Sequence, residues 1–152
     1  MARNYKQGTY EPNWDKYIGT KVPRYLSSWE KYVFEYLDRN PNVIRWGSEV
    51  IVVPYMSMAK SKDGITPKKA RYMVDIYAEF IGKDGKKRIE IIEVKPLAQL
   101  SKPVRGKKKE SSFIQESLTY ANNIEKWKAA AKYAEERGWN FRIITERSLF
   151  KG

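Results

Sequence analysis

Asp75, Glu93 and Lys95 are the residues whose types and spacing suggest chemistry. All three interrupt strand-like sequence that is otherwise apolar or aromatic, Tyr72-Met73-Val74-Asp75-Ile76-Tyr77 and Ile89-Glu90-Ile91-Ile92-Glu93-Val94-Lys95. Alternate residues of a strand share a face, so Ile89, Ile91, Glu93 and Lys95 are expected on one side and Glu90, Ile92 and Val94 on the other. A charged group at the end of an apolar row is costly unless it pairs or binds something. Two carboxylates suit a hard cation, Mg²⁺ or Mn²⁺. Such an ion, with a lysine beside it, is a set for phosphodiester hydrolysis: the cation relieves charge on the phosphate and activates water, and the lysine orients or deprotonates that water. Each residue also has a plainer explanation. Glu-x-Lys on a strand is commonly a salt bridge, and Asp75 has Arg71 nearby in sequence as a partner.

A hairpin has to bring Asp75 to Glu93. Gly82-Lys83-Asp84-Gly85 separates a strand expected over about 71–81 from the one ending at Lys95-Pro96. A three-residue loop, Lys83 to Gly85 with Gly85 left-handed, pairs Gly82 with Lys86 and therefore Asp75 with Glu93 on one face. A two-residue loop shifts the register by one and separates the two acids. The third acid comes from a helix. Ser27-Ser28-Trp29-Glu30 reads as a capping box with Ser27 at the N-cap, followed by a stripe of Trp29, Tyr32, Val33, Tyr36 and Leu37 that stops near Asn40-Pro41. At about 100° per residue, Glu30 projects at the margin of that stripe, as a cap or as a group facing inward.

The remaining elements are read more coarsely. Residues 1–24 are expected as an irregular arm and 25–152 as a single domain. Glu49 to Tyr55 is a β-branched strand that Pro54 ends or places at an edge. Residues 56–69 and 97–110 are expected as loops. A long helix runs from Ser111 or Ser112 to Arg137, with a stripe of Ile114, Leu118, Ala121, Ile124, Trp127, Ala131 and Ala134; Asn122-Asn123 loosens it and Gly138 stops it. Asn140 to Thr145 is the last strand and Glu146 to Phe150 a terminal turn. The order is α-β-β-β-α-β, which places the chain in the α/β (α+β) class.

Composition narrows the chemistry. The chain has 152 residues, no cysteine and no histidine, so disulfides, thiolate metal sites and imidazole bases are excluded. Its 30 Lys plus Arg against 18 Asp plus Glu give a net charge of +12, which points to a polyanionic partner. The cations cluster at Lys83, Lys86, Lys87 and Arg88, at Lys68, Lys69 and Arg71, and at Arg105, Lys107, Lys108 and Lys109. Lysine-rich loops meet phosphates without reading sequence, although any one run is as readily a solvated loop. No apolar core follows Met1 to Lys6 and no apolar run reaches spanning length, so neither a signal peptide nor membrane insertion is expected.

Asp75 followed by Glu93-Val94-Lys95 in this element order resembles the PD-(D/E)xK nuclease superfamily, with Val74 where the motif has proline. Tyr25-Leu26-Ser27-Ser28-Trp29-Glu30, the run from Asn40 to Glu49, Arg71 to Asp75, Ser117 to Asn123, Lys126 to Ala130 and Arg137-Gly138-Trp139 are similar to the head completion nucleases of tailed phages; TnsA-like transposase endonucleases look like more distant relatives. The resemblance spans about residues 24–146. It implies a restriction-endonuclease-like αβββαβ core, a central mixed sheet flanked by helices, and a Mg²⁺-dependent DNA endonuclease that finishes DNA-filled heads before tails attach. It also implies portal, neck or head proteins as partners and a location in the infected cell or at the virion head. Carried over residue by residue, Glu30, Asp75, Glu93 and Lys95 occupy active-site positions. Glu116 and Tyr120 match a helix motif that has glutamine at the first position, and Asn123 and Lys126 lie farther along that helix toward the site or the DNA. A DNA-binding assembly factor with little catalysis remains the alternative.

Overall fold

A computed structural model describes residues 7–149. In chain order its elements are β1 (Gly8–Thr9), β2 (Arg24–Tyr25), α1 (Ser28–Arg39), β3 (Val43–Ser61), β4 (Gly64–Ile81), β5 (Lys87–Val94), a 3₁₀ turn at Leu97–Leu100, α2 (Glu110–Glu136), β6 (Asn140–Ile144) and α3 (Glu146–Leu149). The sheet order is β3-β4-β5-β6; β4 runs antiparallel to both β3 and β5, and β6 runs parallel to β5 after the α2 crossover. This is the expected α/β restriction-endonuclease-like arrangement, a mixed sheet with helices on it. Residues 1–6 of the expected arm and Phe150 of the expected terminal turn lie outside the described residues. Among those described, no helix is long and apolar enough to cross a membrane.

Each sheet face has its own core. Val33, Phe34 and Leu37 of α1 pack on Trp46, Ile76, Ala78, Phe80, Ile92 and Val94. Trp127, Ala130 and Ala134 of α2 pack on Val53, Tyr72, Val74 and Ile91. Burying each large apolar side chain contributes roughly 1.5–3 kcal/mol. Both helix stripes are rotated from the sequence reading. Tyr32 and Tyr36 of α1 are about half exposed, and Phe34 takes the inward place. On α2 the inward line is Asn123, Trp127, Ala130 and Ala134, while Ala121 and Ala131 face out. The small Ala130 lets the helix approach the sheet on that line. Gly138 stops α2 as expected: at φ +72° its N–H meets the Glu135 carbonyl, and Trp139 N–H meets that of Ala134.

The stretch 56–69 is a ladder rather than a loop. Pairing of β3 with β4 continues from Tyr55↔Ala70 to Ser61↔Gly64, leaving Lys62 and Asp63 as the turn. Most of this arm is wet on both faces, so it lacks the apolar alternation that marks a strand, and backbone pairing alone builds it. Asn122 anchors it: its Oδ1 accepts Met58 N–H at 2.7 Å and its Nδ2 donates to the Met58 carbonyl at 3.1 Å. An asparagine read as loosening the helix instead ties α2 to an edge strand. Residues 7–24 drape over the α1 side. Tyr17 is buried against Trp46, and Lys16 Nζ donates to the carbonyls of Leu37, Asp38 and Asn40 at 2.9–3.0 Å, closing the C-terminus of α1.

Candidate active site

The hairpin loop sets the site. Gly85 is left-handed at φ +78°, Gly82 N–H bonds to the Lys86 carbonyl, and the ladder runs Ile81↔Lys87 through Ile76↔Ile92. That is the three-residue-loop register, and its next pair is Asp75 with Glu93. The backbone ladder ends one step earlier. A continued ladder would offer Val94 N–H the Val74 carbonyl; the N–H instead meets Asp75 Oδ2 at 2.8 Å. The side chain has replaced the backbone acceptor, so β4 and β5 part at the two acids.

On its other flank Asp75 faces a bulge. Pairing of β3 with β4 skips from Ser48↔Ile76 to Ile51↔Val74, leaving Glu49 and Val50 opposite Asp75 alone. Glu49 sits at φ +55°, a conformation that costs a non-glycine residue about 1–2 kcal/mol. Irregularity on both sides breaks the alternation of β4: Val74 packs under α2, and Ile76 packs under α1. Asp75, at the break, lines a small cleft with Arg24, Glu30, Phe34, Ser48 and Glu49.

The acids are close enough to perturb one another. Burial holds the Asp75 carboxyl well above the usual carboxylate range, the charge of Glu93 raises it further, the Val94 N–H opposes this, and Glu30 adds to it. Glu30 is also pushed up, first by burial, against the Leu26 N–H, with Glu49 and Glu93 raising it and Lys95 lowering it. Glu93 is buried and accepts the Tyr72 hydroxyl at 2.6 Å; Lys95 Nζ lies 3.7 Å from its other oxygen. Tyr72 in turn is raised by burial and by Glu93. Lys126 Nζ stands 5.9 Å and 5.8 Å over the rings of Tyr55 and Tyr72. Glu30 is capping residue and site neighbour together: its N–H donates to Ser27 Oγ at 3.2 Å and its Oε1 accepts Leu26 N–H at 2.6 Å.

A hard divalent cation fits part of this set. Asp75 and Glu93 are adjacent carboxylates; burial and the Glu93 charge disfavour ionisation of Asp75, which a cation would relieve, and carboxylate oxygens are the donors Mg²⁺ and Mn²⁺ take. Mg²⁺ uses one or two carboxylates and keeps waters elsewhere. Among the described residues no three acids converge closely enough to hold an ion together, so Glu30 is a neighbour of the pair here rather than a third member.

The other expected residues divide. Glu116, Tyr120 and Asn123 line one cavity of about 460 Å³ with Lys102 and Lys108, between the 3₁₀ turn and α2; Asp75, Glu93 and Lys95 do not line it. Lys108 Nζ pairs with Glu116 Oε2 at 2.6 Å. Arg105 reaches back to the Lys108 carbonyl, and Lys107 and Lys109 are exposed. Lys69 and Arg71 share one face of the arm while Lys68 takes the other. The run at the 82–88 hairpin is partly internal: Lys87 pairs with Glu79, and Arg88 with Glu90. Sequence reasoning missed Arg24 and Glu49 as site neighbours. Only the bulge and the draped N-terminal segment bring them in, and neither carries a local signal.

A family model described as TnsA-like endonuclease N terminal matches residues 40–146, a span holding Asp75, Glu93 and Lys95 but not Glu30. The head completion nuclease of Enterobacteria phage T4 is 41% identical to this chain, over 92% of the chain and 93% of that protein.

Proposed function

The chain belongs to the TnsA-like endonuclease N-terminal family, and from that premise we propose that it is a phage-encoded, Mg²⁺- or Mn²⁺-dependent DNA endonuclease acting in head completion. The observation that carries the reading is the opening of the sheet between β4 and β5 at Asp75, whose ionisation burial and the Glu93 charge oppose, with buried Glu93 beside it and Lys95 3.7 Å from Glu93.

Asp75 and Glu93 would hold the ion. When bound there, it would supply Lewis-acid polarisation of the phosphate and a lowered pKa for water. The chain's own groups do the rest. Val94 N–H fixes Asp75, the Tyr72 hydroxyl fixes Glu93, and both supports come from strand residues, so the carboxylates are held without reorganisation. Lys95 extends past Glu93 with its ammonium partly exposed, where it orients the attacking water or meets charge developing on the phosphate. Glu30 adds negative charge from α1 and keeps the pocket selective for a cation. Lys107 and Lys109, both exposed, and Lys126 would meet DNA phosphates, and the DNA is the polyanion that the charge of +12 anticipates. Portal, neck or head proteins are the partners that such a role entails.

The test is nicking of supercoiled plasmid by the full chain with and without Mg²⁺. Nicking is expected to require the ion and to fall on the order of a thousandfold in Asp75→Asn and Lys95→Ala. Undiminished nicking in both variants removes the assignment. Metal-independent DNA binding without any nicking favours the alternative, an assembly factor that keeps the nuclease fold; the engagement of Glu30 as a cap is what speaks for it.

A further inference from the structure

Beyond the acids, β3 and β4 continue as a two-stranded arm whose faces differ. One face, with Val53 and Tyr72 at its root, is packed under α2. The other carries the cross-strand pairs Pro54–Arg71, Met56–Lys69 and Lys60–Ile65. It stays open: Val52, Met56, Ile65 and Met73 on it are 39–50% exposed. Its charges are Lys60, Lys69 and Arg71, with no acid among them. None of the three forms an ion pair with an acid of the described residues.

This face runs into the site. Asp75 follows Lys69, Arg71 and Met73 along the strand, at the break in alternation, and lines the cleft on the α1 side with Glu30 and Phe34. At ~3.3 Å per residue, Arg71 lies roughly 13 Å from Asp75, Lys69 roughly 20 Å, and Lys60, opposite Ile65, roughly 33 Å. The last figure is about one turn of B-DNA, and a two-stranded ribbon is an element the major groove admits. Exposed apolar side chains alone would suit a protein surface as well. Three cations in a row without an acid, leading to a phosphodiester site, favour the polyanion.

We propose that this face of the arm binds duplex DNA over about one helical turn on one side of the scissile bond, with Lys60, Lys69 and Arg71 on phosphates and Met56 and Ile65 toward the groove. The proposal rests on the nuclease reading for its choice of nucleic acid and goes beyond it in naming a face. Lys68 is adjacent to Lys69 in sequence and lies opposite Ser57 on the other face; Lys62 is in the turn. The sequence groups Lys68 with Lys69, and the structure separates them.

The experiment is fluorescence-anisotropy titration of a labelled duplex by the full chain in EDTA across a salt series. The variants are Lys60→Gln/Lys69→Gln/Arg71→Gln and, as the comparison off this face, Lys62→Gln/Lys68→Gln. The triple variant is expected to bind on the order of 50-fold more weakly at about 0.2 M salt and to lose about three units of salt slope. The comparison variant is expected to lose less than about fivefold. Losses in proportion to charge removed, or unchanged binding by the triple variant, overturn the proposal; the latter would leave the face to a protein partner. Asp75→Asn, run in parallel, separates the two readings. A chain that never nicks yet shows the facial pattern sinks the nuclease reading alone, and normal nicking without the facial pattern sinks the arm alone.

Discussion

Strand β4 carries two acids four residues apart whose surroundings are opposite. Glu79 is 1% exposed, yet it meets Arg45 Nη2 at 2.8 Å, Lys87 Nζ at 3.0 Å and the Tyr77 hydroxyl at 2.7 Å. Burial works upward on its carboxyl, and these three partners outweigh it and hold Glu79 below the ordinary range. Asp75 meets one backbone N–H and two further acids, and is held well above that range. Glu79 is buried and Asp75 half-buried, and burial works upward on both carboxyls, so burial is not what marks function. The sign of the neighbours is. A buried acid given two cations is finished as structure, whereas a buried acid given another acid is missing a cation.

The largest effect expected from this contrast is the divergence of activity and stability at Asp75. Asp75→Asn should lose nicking on the order of a thousandfold while its thermal midpoint stays level or rises, because the substitution removes a buried like-charge repulsion. A drop in midpoint comparable to that of a core substitution would place Asp75 with Glu79 as a structural acid. Glu79→Gln is the converse. Removing the charge that two cations and a tyrosine converge on should cost about 2 kcal/mol in urea unfolding, limited because Arg45 and Lys87 are each about half exposed and rehydrate. Nicking by the folded fraction should be unchanged; a loss like that of Asp75→Asn would erase the distinction.

Titration sharpens the same point. A carboxyl whose folded pKa lies below its unfolded value contributes stability that is complete above the unfolded value, about 4.3, and is lost as pH falls through the folded one. Glu79 is of this kind. Between pH 7 and pH 3 the stability gap between wild type and Glu79→Gln should therefore narrow on the acid side. A gap that widens on acidification would contradict the pairing described for Glu79.

How far this contrast was legible in the sequence depends on which interactions are local. The meeting of Asp75 with Glu93 follows from hairpin length, because Gly85 supplies the left-handed residue and a register shift of one would separate the acids. Ser27 and Gly138 mark helix ends by local backbone bonds, and both are where sequence placed them. The fate of Glu79 was not legible, because Arg45 reaches it from β3 and Lys87 from β5, so its partners are set only once three strands are assembled. Glu49 entered the site through a bulge that no residue type announces. The arm was missed because strand signals measure burial on a face, and over Gly64 to Lys69 every residue is exposed. Lys87 and Arg88 looked like phosphate contacts since a charge run reads the same whether it faces solvent or a buried acid.

The smallest expected effect comes from a pair of matched deletions. Both acid sites use a tyrosine of β4: Tyr77 donates to Glu79 at 2.7 Å and Tyr72 to Glu93 at 2.6 Å. Replacing either by phenylalanine keeps the ring and removes one hydroxyl. At Glu79 two cations remain, so Tyr77→Phe should cost about 1 kcal/mol of stability and leave nicking unchanged. At Glu93 the hydroxyl is the support that holds a buried carboxylate in place beside Asp75, and Lys95 at 3.7 Å is a loose substitute. Tyr72→Phe should therefore cost about 1–2 kcal/mol in unfolding and, unlike Tyr77→Phe, also lose roughly five- to tenfold in nicking at saturating metal. Parallel measurement of the two variants by plasmid nicking and urea unfolding decides the matter. If both lose stability and neither loses rate, the two tyrosines do one job, and the separation of β4 into a structural acid and a functional acid fails at the residues that hold them.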